Sequence, residues 1–207
     1  VVNSVNENYD YSFYLPITNF LWRRLDWEPI SILVGSDWNK NWLNRVKDTC
    51  SNIHIINPII GLKSSTTAQV SRLFAASLVK SGYLMTSDID MLPISNNLFD
   101  KCDINIPIQV YGSDLYGNVR IPMCYVGMQV ELWRDLFNIN DSLIESMNCM
   151  RSFKDDWNLD EHFLTSKILP QLSLGHVQMI ARGTVHGRAA NRMDRAAWDW
   201  NGQKDLV

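Results

Sequence analysis

The stretch Gly82-Tyr83-Leu84-Met85-Thr86-Ser87-Asp88-Ile89-Asp90-Met91-Leu92-Pro93-Ile94 narrows the choice of folds most. An apolar run leaves a glycine, reaches two carboxylates and is stopped by a proline. A helical pattern precedes it. Val70, Leu73, Phe74, Ser77 and Leu78 share one face at the i, i+3, i+4 spacing, and Ala75 and Ala76 favour helix. Helix, glycine turn, buried strand and acid pair read as the carboxyl end of a strand in an open α/β sheet. Such sheets bind their ligands at that edge. An extended chain would point Asp88 and Asp90, two apart, to one side. Paired carboxylates suit a hard divalent cation, magnesium or manganese, whose shell is completed by substrate phosphates and water. A solvated turn is the plain alternative.

The block from Gln69 to Ile94 resembles the GT-A family of nucleotide-sugar glycosyltransferases. There, a helix of the type Ser71-Arg72-Leu73-Phe74-Ala75-Ala76 precedes a strand ending in an Asp-x-Asp motif, here Asp88-Ile89-Asp90. The resemblance implies an α/β, GT-A-like (Rossmann-related) open sheet, mostly parallel, with helices on both faces. It implies a single domain over 1–207, with a donor half at 1–100 and an acceptor half with a metal-binding tail loop at 101–207. It also implies Mn2+ or Mg2+ on Asp88 and Asp90, gripping the diphosphate of a UDP-sugar donor, with Ser87 beside the donor. Within the family the chain looks closest to the small glycosyltransferase domain of a large algal (chlorella) virus, which implies the host cytoplasm.

At 207 residues the chain is most simply one domain able to bury a substantial core. A formal charge of −3 with scattered basic residues argues against nucleic acid or an anionic membrane as partner. No apolar run reaches transmembrane length and no leader layout opens the chain. The start on Val1-Val2 reads as a strand already under way, as if a few residues preceded it, and the domain is expected to form part of a longer multidomain chain. Cys50, Cys102, Cys124 and Cys149 lie far apart without a Cys-x-x-Cys, which reads as reduced thiols in a cytoplasmic protein. The chain has no Gly-x-Gly-x-x-Gly, phosphate loop, His-Glu-x-x-His or Gly-x-Ser-x-Gly. Dinucleotide oxidoreductases, phosphate-loop kinases, zinc proteases and serine hydrolases therefore lack their usual signals.

Upstream, Val1–Ser4 reads as the end of a first strand. The polar loop after it carries Asn3, Ser4, Asn6 and Asn8 with Tyr9 and Tyr11. A first loop at the carboxyl edge is where a nucleotide sits: Asn and Ser offer hydrogen bonds and a tyrosine a stacking face. An ordinary Asn-rich connector is the alternative. Phe13, Ile17, Phe20, Leu21 and Leu25 repeat at helical spacing with Pro16 in the first turn. The run Pro29–Gly35 is a buried strand ending beside Asp37, which either faces the nucleotide or caps the helix Asn39–Lys47. Ile53–Ile56 is a third strand, and Gly61–Thr67 a polar loop before the helix bearing Arg72. The resemblance places Arg72 near the donor or paired with the first acid of the motif.

Downstream, a strand over Ile104–Val110 leads to a glycine-bounded loop in which Tyr111 and Tyr116 suit a sugar-stacking wall. Ile121–Met128 is a strand and Val130–Phe137 a helix. Asn158 fits a helix cap with Glu161 at the third position, and Pro170 is expected to end that helix. Acids at a helix start need no further job than to meet the dipole. The resemblance nonetheless places Asp160 or Glu161 against the acceptor hydroxyl, with Asp156 as a third candidate; Asp160 is preferred because a cap would occupy Glu161. In the tail, His186 between two glycines corresponds to the family's late metal-ligating histidine. Arg188, with Arg192 and Arg195 behind it, suits contact with a departing diphosphate.

These readings together give a metal-dependent transferase moving a hexose or deoxyhexose from a UDP-sugar to a glycan or glycoprotein hydroxyl. A sugar-phosphate nucleotidyltransferase is one rival, although the loop at residues 3–11 lacks glycine, lysine and arginine. A non-catalytic carbohydrate-binding module is the other.

Overall fold

A computed structural model describes residues 1–103, 105–112 and 120–181, and the backbone of three short tail strands. The chain opens in β1 (Val2–Asn6) and turns through α1 (Tyr9–Ser12) into α2 (Leu15–Arg24), with Pro16 in its first turn. Then come β2 (Ile30–Val34), α3 (Lys40–Thr49) and β3 (Asn52–Ile56). Every residue of β2 is buried, the pattern of a central strand covered on both faces. Asn39 caps α3 by accepting from the amides of Asn41 and Trp42 at 2.9 and 3.1 Å.

Helix α4 (Ser64–Ser71) begins inside the stretch expected to be loop and tightens into a 3-10 segment over Arg72–Leu78. Val70, Leu73 and Phe74 are fully buried, as their spacing requires. Gly82, at φ +105°, turns the chain into β4 (Tyr83–Met85). The remaining strands are β5 (Met91–Pro93), β6 (Ile108–Tyr111), β7 (Tyr125–Gln129) and β8 (Val177–Ile180). The remaining helices are α5 (Val130–Phe137), α6 (Leu143–Met147) and α7 (Leu159–Ser173). Pro170 lies inside α7 and does not end it. The carbonyl that loses its partner belongs to solvent-exposed Ser166, so the helix runs on to Ser173. The tail strands are β9 (Thr184–Val185), β10 (Arg188–Ala189) and β11 (Arg192–Asp194), of which β11 pairs with β5.

Strands β1, β2 and β3 form a parallel ladder, and β4, β7, β6 and β8, in that order, form a second ladder of mixed direction. The two ladders meet where Val2 bridges Thr86 and the Ser87 N–H donates to the Val2 carbonyl at 3.0 Å. The open sheet is parallel over β1–β3 and between β6 and β8, while β7 runs against both β4 and β6. β6 and β7 are consecutive in sequence and adjacent in space, the hairpin arrangement that reverses a chain. Helices cover both faces. One core joins Val2, Ile32, Leu84 and Val126 to the helix side bearing Phe74, Trp133, Leu164 and Ile168. On the other face Val5, Leu33 and Val46 pack together, beside an aromatic cluster of Trp22, Phe99, Tyr111 and Tyr125. Among the described residues no helix is long and apolar enough to cross a membrane.

Candidate active site

The acid pair does not lie on an extended strand. β4 stops at Met85, and Ile89 and Asp90 form a turn in which the Met91 N–H donates to the Asp88 carbonyl at 3.3 Å. Ile89 aims the acids. Its side chain is buried with Val5, Leu15 and Leu33, and its carbonyl accepts from Thr18 Oγ1 at 2.6 Å. With the middle residue anchored below, both flanking carboxylates reach a cleft of about 560 Å3. The end of β1, helix α4 and the start of α7 form its other walls.

Arg72 sits under this cleft, only 5 % exposed. Its guanidinium pairs with Asp88, donates to the Ser87 carbonyl at 2.9 Å and pairs with Asp160 Oδ2 at 3.0 Å. Burial disfavours its charge, but Asp88 and Asp160 outweigh that cost, so the proton is held more tightly than in water. Asp160 is 3 % exposed. Burial pushes its carboxyl up to about 6 against the pull of Arg72, with the charges of Asp88 and Glu161 adding to the rise. Its second oxygen accepts from the Glu161 N–H at 2.8 Å.

The expected capping box is absent. Asn158 occupies the cap position without a side-chain cap bond; its Oδ1 accepts from Arg120 Nη2 at 2.5 Å. Glu161 is likewise not used in capping. It forms an ion pair with Arg120, without hydrogen-bond alignment at Oε2, and its Oε1 takes a long bond from the Met123 N–H at 3.4 Å. The reason for preferring Asp160 over Glu161 therefore falls. Both line the cleft, and they differ in burial: Asp160 is sealed against Arg72, while the Glu161 side chain keeps 16% of its surface exposed.

The stretch expected to be the first loop begins inside β1, and strand alternation sorts its residues. Asn3 points away from the cleft into the core, where its Nδ2 donates to Asn19 Oδ1 at 3.0 Å. Ser4 and Asn6 point to the cleft side; the Ser4 hydroxyl donates to the Ala68 carbonyl, and Asn6 Nδ2 donates to Ser64 Oγ at 3.1 Å. Tyr9 is 69 % exposed and outside the cleft; Tyr11, two residues on, lines it. Ser87 is buried, accepting from the Trp22 indole N–H at 3.2 Å, so its hydroxyl serves the core. Asp37 is exposed outside the cleft and does not cap α3; its N–H donates to Glu7. Asp156 is exposed and closes a local turn by accepting from the Asn158 N–H at 2.8 Å. Tyr111 belongs to the aromatic core rather than to a sugar wall, and burial pushes its phenol up.

His186, Tyr116, Arg195, Trp198 and Trp200 lie outside the described residues, as do the side chains of Arg188 and Arg192. Arg120 and Trp157 also line the cleft, and the sequence reading gave neither a role. Their only sequence signals are an isolated base shortly before Pro122 and an aromatic directly ahead of a helix cap.

Among the described residues no group of three His, Cys, Asp or Glu side chains converges as a metal cage. Asp88 and Asp90 offer carboxylate oxygens at the cleft, one oxygen of Asp88 being engaged by Arg72. Such a pair fits a hard cation that completes its shell with phosphate oxygens and water.

No family model and no curated protein matches the chain. Among solved structures it is similar to the galactosyltransferase LgtC in complex with donor and acceptor sugar analogues. The TM-score is 0.50 at 12% identity, over 86% of this chain and 72% of that one. The glycosyltransferase GlyE of Streptococcus pneumoniae aligns with a TM-score of 0.49 at 13% identity, over 86% of this chain and 44% of that one. The likeness to LgtC shows that this chain has the α/β fold of the GT-A glycosyltransferases.

Proposed function

We propose that the chain is a glycosyltransferase moving a hexose or deoxyhexose from a UDP-sugar to a glycan hydroxyl, with Mn2+ or Mg2+ held by Asp88 and Asp90. One observation carries the reading. Asp88, Asp90, Arg72, Asp160 and Glu161 converge on a single cleft at the sheet edge where this fold takes ligands. The structural likeness to a galactosyltransferase holding donor and acceptor analogues supports sugar transfer as the chemistry. When bound, the ion supplies charge stabilisation for a departing diphosphate. The late ligand His186 and the algal-virus link are assigned from the sequence resemblance alone, and the cytoplasmic location from that resemblance together with the spacing of the cysteines.

The chain's own residues divide the work. Ser4, Asn6 and Tyr11 line the end of the cleft that takes the nucleoside. Arg72 holds Asp88 in place and keeps Asp160 charged beside it. Both oxygens of Asp160 are engaged, so it serves as a fixed charge next to the donor sugar. Glu161 also pairs with Arg120 through Oε2, but its Oε1 holds only the long 3.4 Å bond from the Met123 N–H, and that oxygen takes the proton of the acceptor hydroxyl. Arg188 assists the leaving group from the tail.

A nucleotidyltransferase is disfavoured by the loop after β1, which presents asparagines and tyrosines in place of a basic glycine loop. The test is incubation with a panel of nucleotide sugars and Mn2+, with the product anomer read by NMR. Turnover of a UDP-sugar that stops on chelation is expected. No turnover, together with no Mn2+-dependent binding of any nucleoside diphosphate, refutes the assignment.

A further inference from the structure

We infer that Trp157 is the second jaw of a nucleobase clamp, facing Tyr11 across the mouth of the cleft. This deepens the proposed function and rests on it. Tyr11 stands on α1, just past the carboxyl end of β1, and Trp157 directly precedes the cap of α7. Both line the cleft, their ring centroids 6.4 Å apart and their planes inclined at 48°.

The indole is 55 % exposed, although it is one of the largest apolar groups a chain can carry. Helix-start packing does not account for it. A residue at this position commonly packs on the fourth residue of the helix, here His162, which is polar and exposed. Its neighbours in the chain are tied down. Asp155 accepts from the Lys63 N–H at 3.2 Å and pairs with the Lys63 ammonium at 3.3 Å. The Thr66 hydroxyl and Lys63 together keep its carboxyl below the usual range. On the other side Asn158 is held by Arg120 at 2.5 Å. The chain is thus tied on both sides of Trp157, while the ring touches Tyr11 and keeps more than half of its surface in solvent. A pre-positioned indole loses little entropy when a ligand covers it.

The occupant is flat and aromatic. Two faces that grip a planar ring stand roughly 7 Å apart and parallel. The observed wedge reaches that spacing by a small opening and a rotation of the exposed indole. The amides of Asn6 and Asn8 line the same cleft and can meet the hydrogen-bonding edge of a base. The base of a nucleoside diphosphate fits this setting, leaving the diphosphate for Asp88 and Asp90.

The test is calorimetry on the full chain with UDP and Mn2+, comparing wild type, Trp157→Ala, Trp157→Phe and Tyr11→Ala. Circular dichroism checks that each variant is folded, and pyrophosphate with Mn2+ serves as a probe lacking the base. Trp157→Ala is expected to weaken UDP roughly 5- to 100-fold and to leave pyrophosphate unchanged, with Trp157→Phe recovering most of the loss. Unchanged UDP affinity in Trp157→Ala, or equal weakening of pyrophosphate, overturns the clamp while the proposed function stands. A wild type that binds no nucleoside diphosphate with Mn2+ overturns both.

Discussion

Arg72 and Asp160 lie 88 residues apart in sequence and meet in a buried ion pair at 3.0 Å. The same guanidinium also holds Asp88, so one cation joins the turn after β4 to the start of α7. This junction gives the site its shape.

Arg72→Met removes that cation and keeps most of its volume. Asp160 is then buried without a cation, and the loss of one member of such a pair costs about 3–5 kcal/mol. Urea denaturation at pH 7 should show a loss of that order, and adding Asp160→Asn should recover part of it. A Met variant as stable as wild type would mean the junction contributes nothing to the fold.

Asp160 should also leave a signature in the pH dependence of stability. Burial pushes its folded carboxyl up to about 6 from an ordinary value of 3.8, so the folded state holds this proton more tightly than the unfolded state. Its contribution is fully present below the unfolded value and is lost as pH rises through about 6. A shift of this size corresponds to roughly 3 kcal/mol at most. Denaturant midpoints measured from pH 4 to pH 7 should therefore fall less steeply in Asp160→Asn than in wild type.

Asp90→Ala should abolish Mn2+-dependent UDP binding and leave the thermal midpoint within a few degrees of wild type, because the residue lies in a cleft-lining turn outside the hydrophobic cores. Titration calorimetry reads the first effect and thermal melting the second. Wild-type affinity in the variant would remove the metal from Asp90.

Ile89→Ala tests the anchor between the acids. A buried isoleucine cut to alanine costs about 2–5 kcal/mol. Here it should also weaken UDP and Mn2+ binding, although neither carboxylate is changed. Lost stability with binding intact would show that the turn holds its geometry without the anchor.

The placement of the acids at the end of a buried strand was legible because it rests on local pattern: an apolar run, a glycine, and a helix with its apolar face at the i, i+3, i+4 spacing. The ion pair of Arg72 with the first acid was also anticipated, on the family resemblance. Residues whose direction depends on partners far along the chain were not legible. Asn3 reads as part of the same polar stretch as Ser4 and Asn6, and only the pairing of β1, which holds all three, decides that it faces Asn19. Tyr111 reads as a loop aromatic until the packing of Trp22 and Phe99 claims it. Glu161 has the spacing of a capping residue, yet Arg120, some 40 residues earlier, takes it. The proline rule failed at Pro170 because the lost bond falls at an exposed residue.

Val2 and Thr86 form the bridge that joins the two ladders, and the acids leave the sheet directly beyond it. A fragment ending before this seam would contain Arg72 and the first loop but neither carboxylate. The remainder would contain the carboxylates without the cation that holds them. The nucleotide binding proposed above is therefore expected to read out complete assembly, and a chain that has folded only one side of the seam should be silent in any ligand assay.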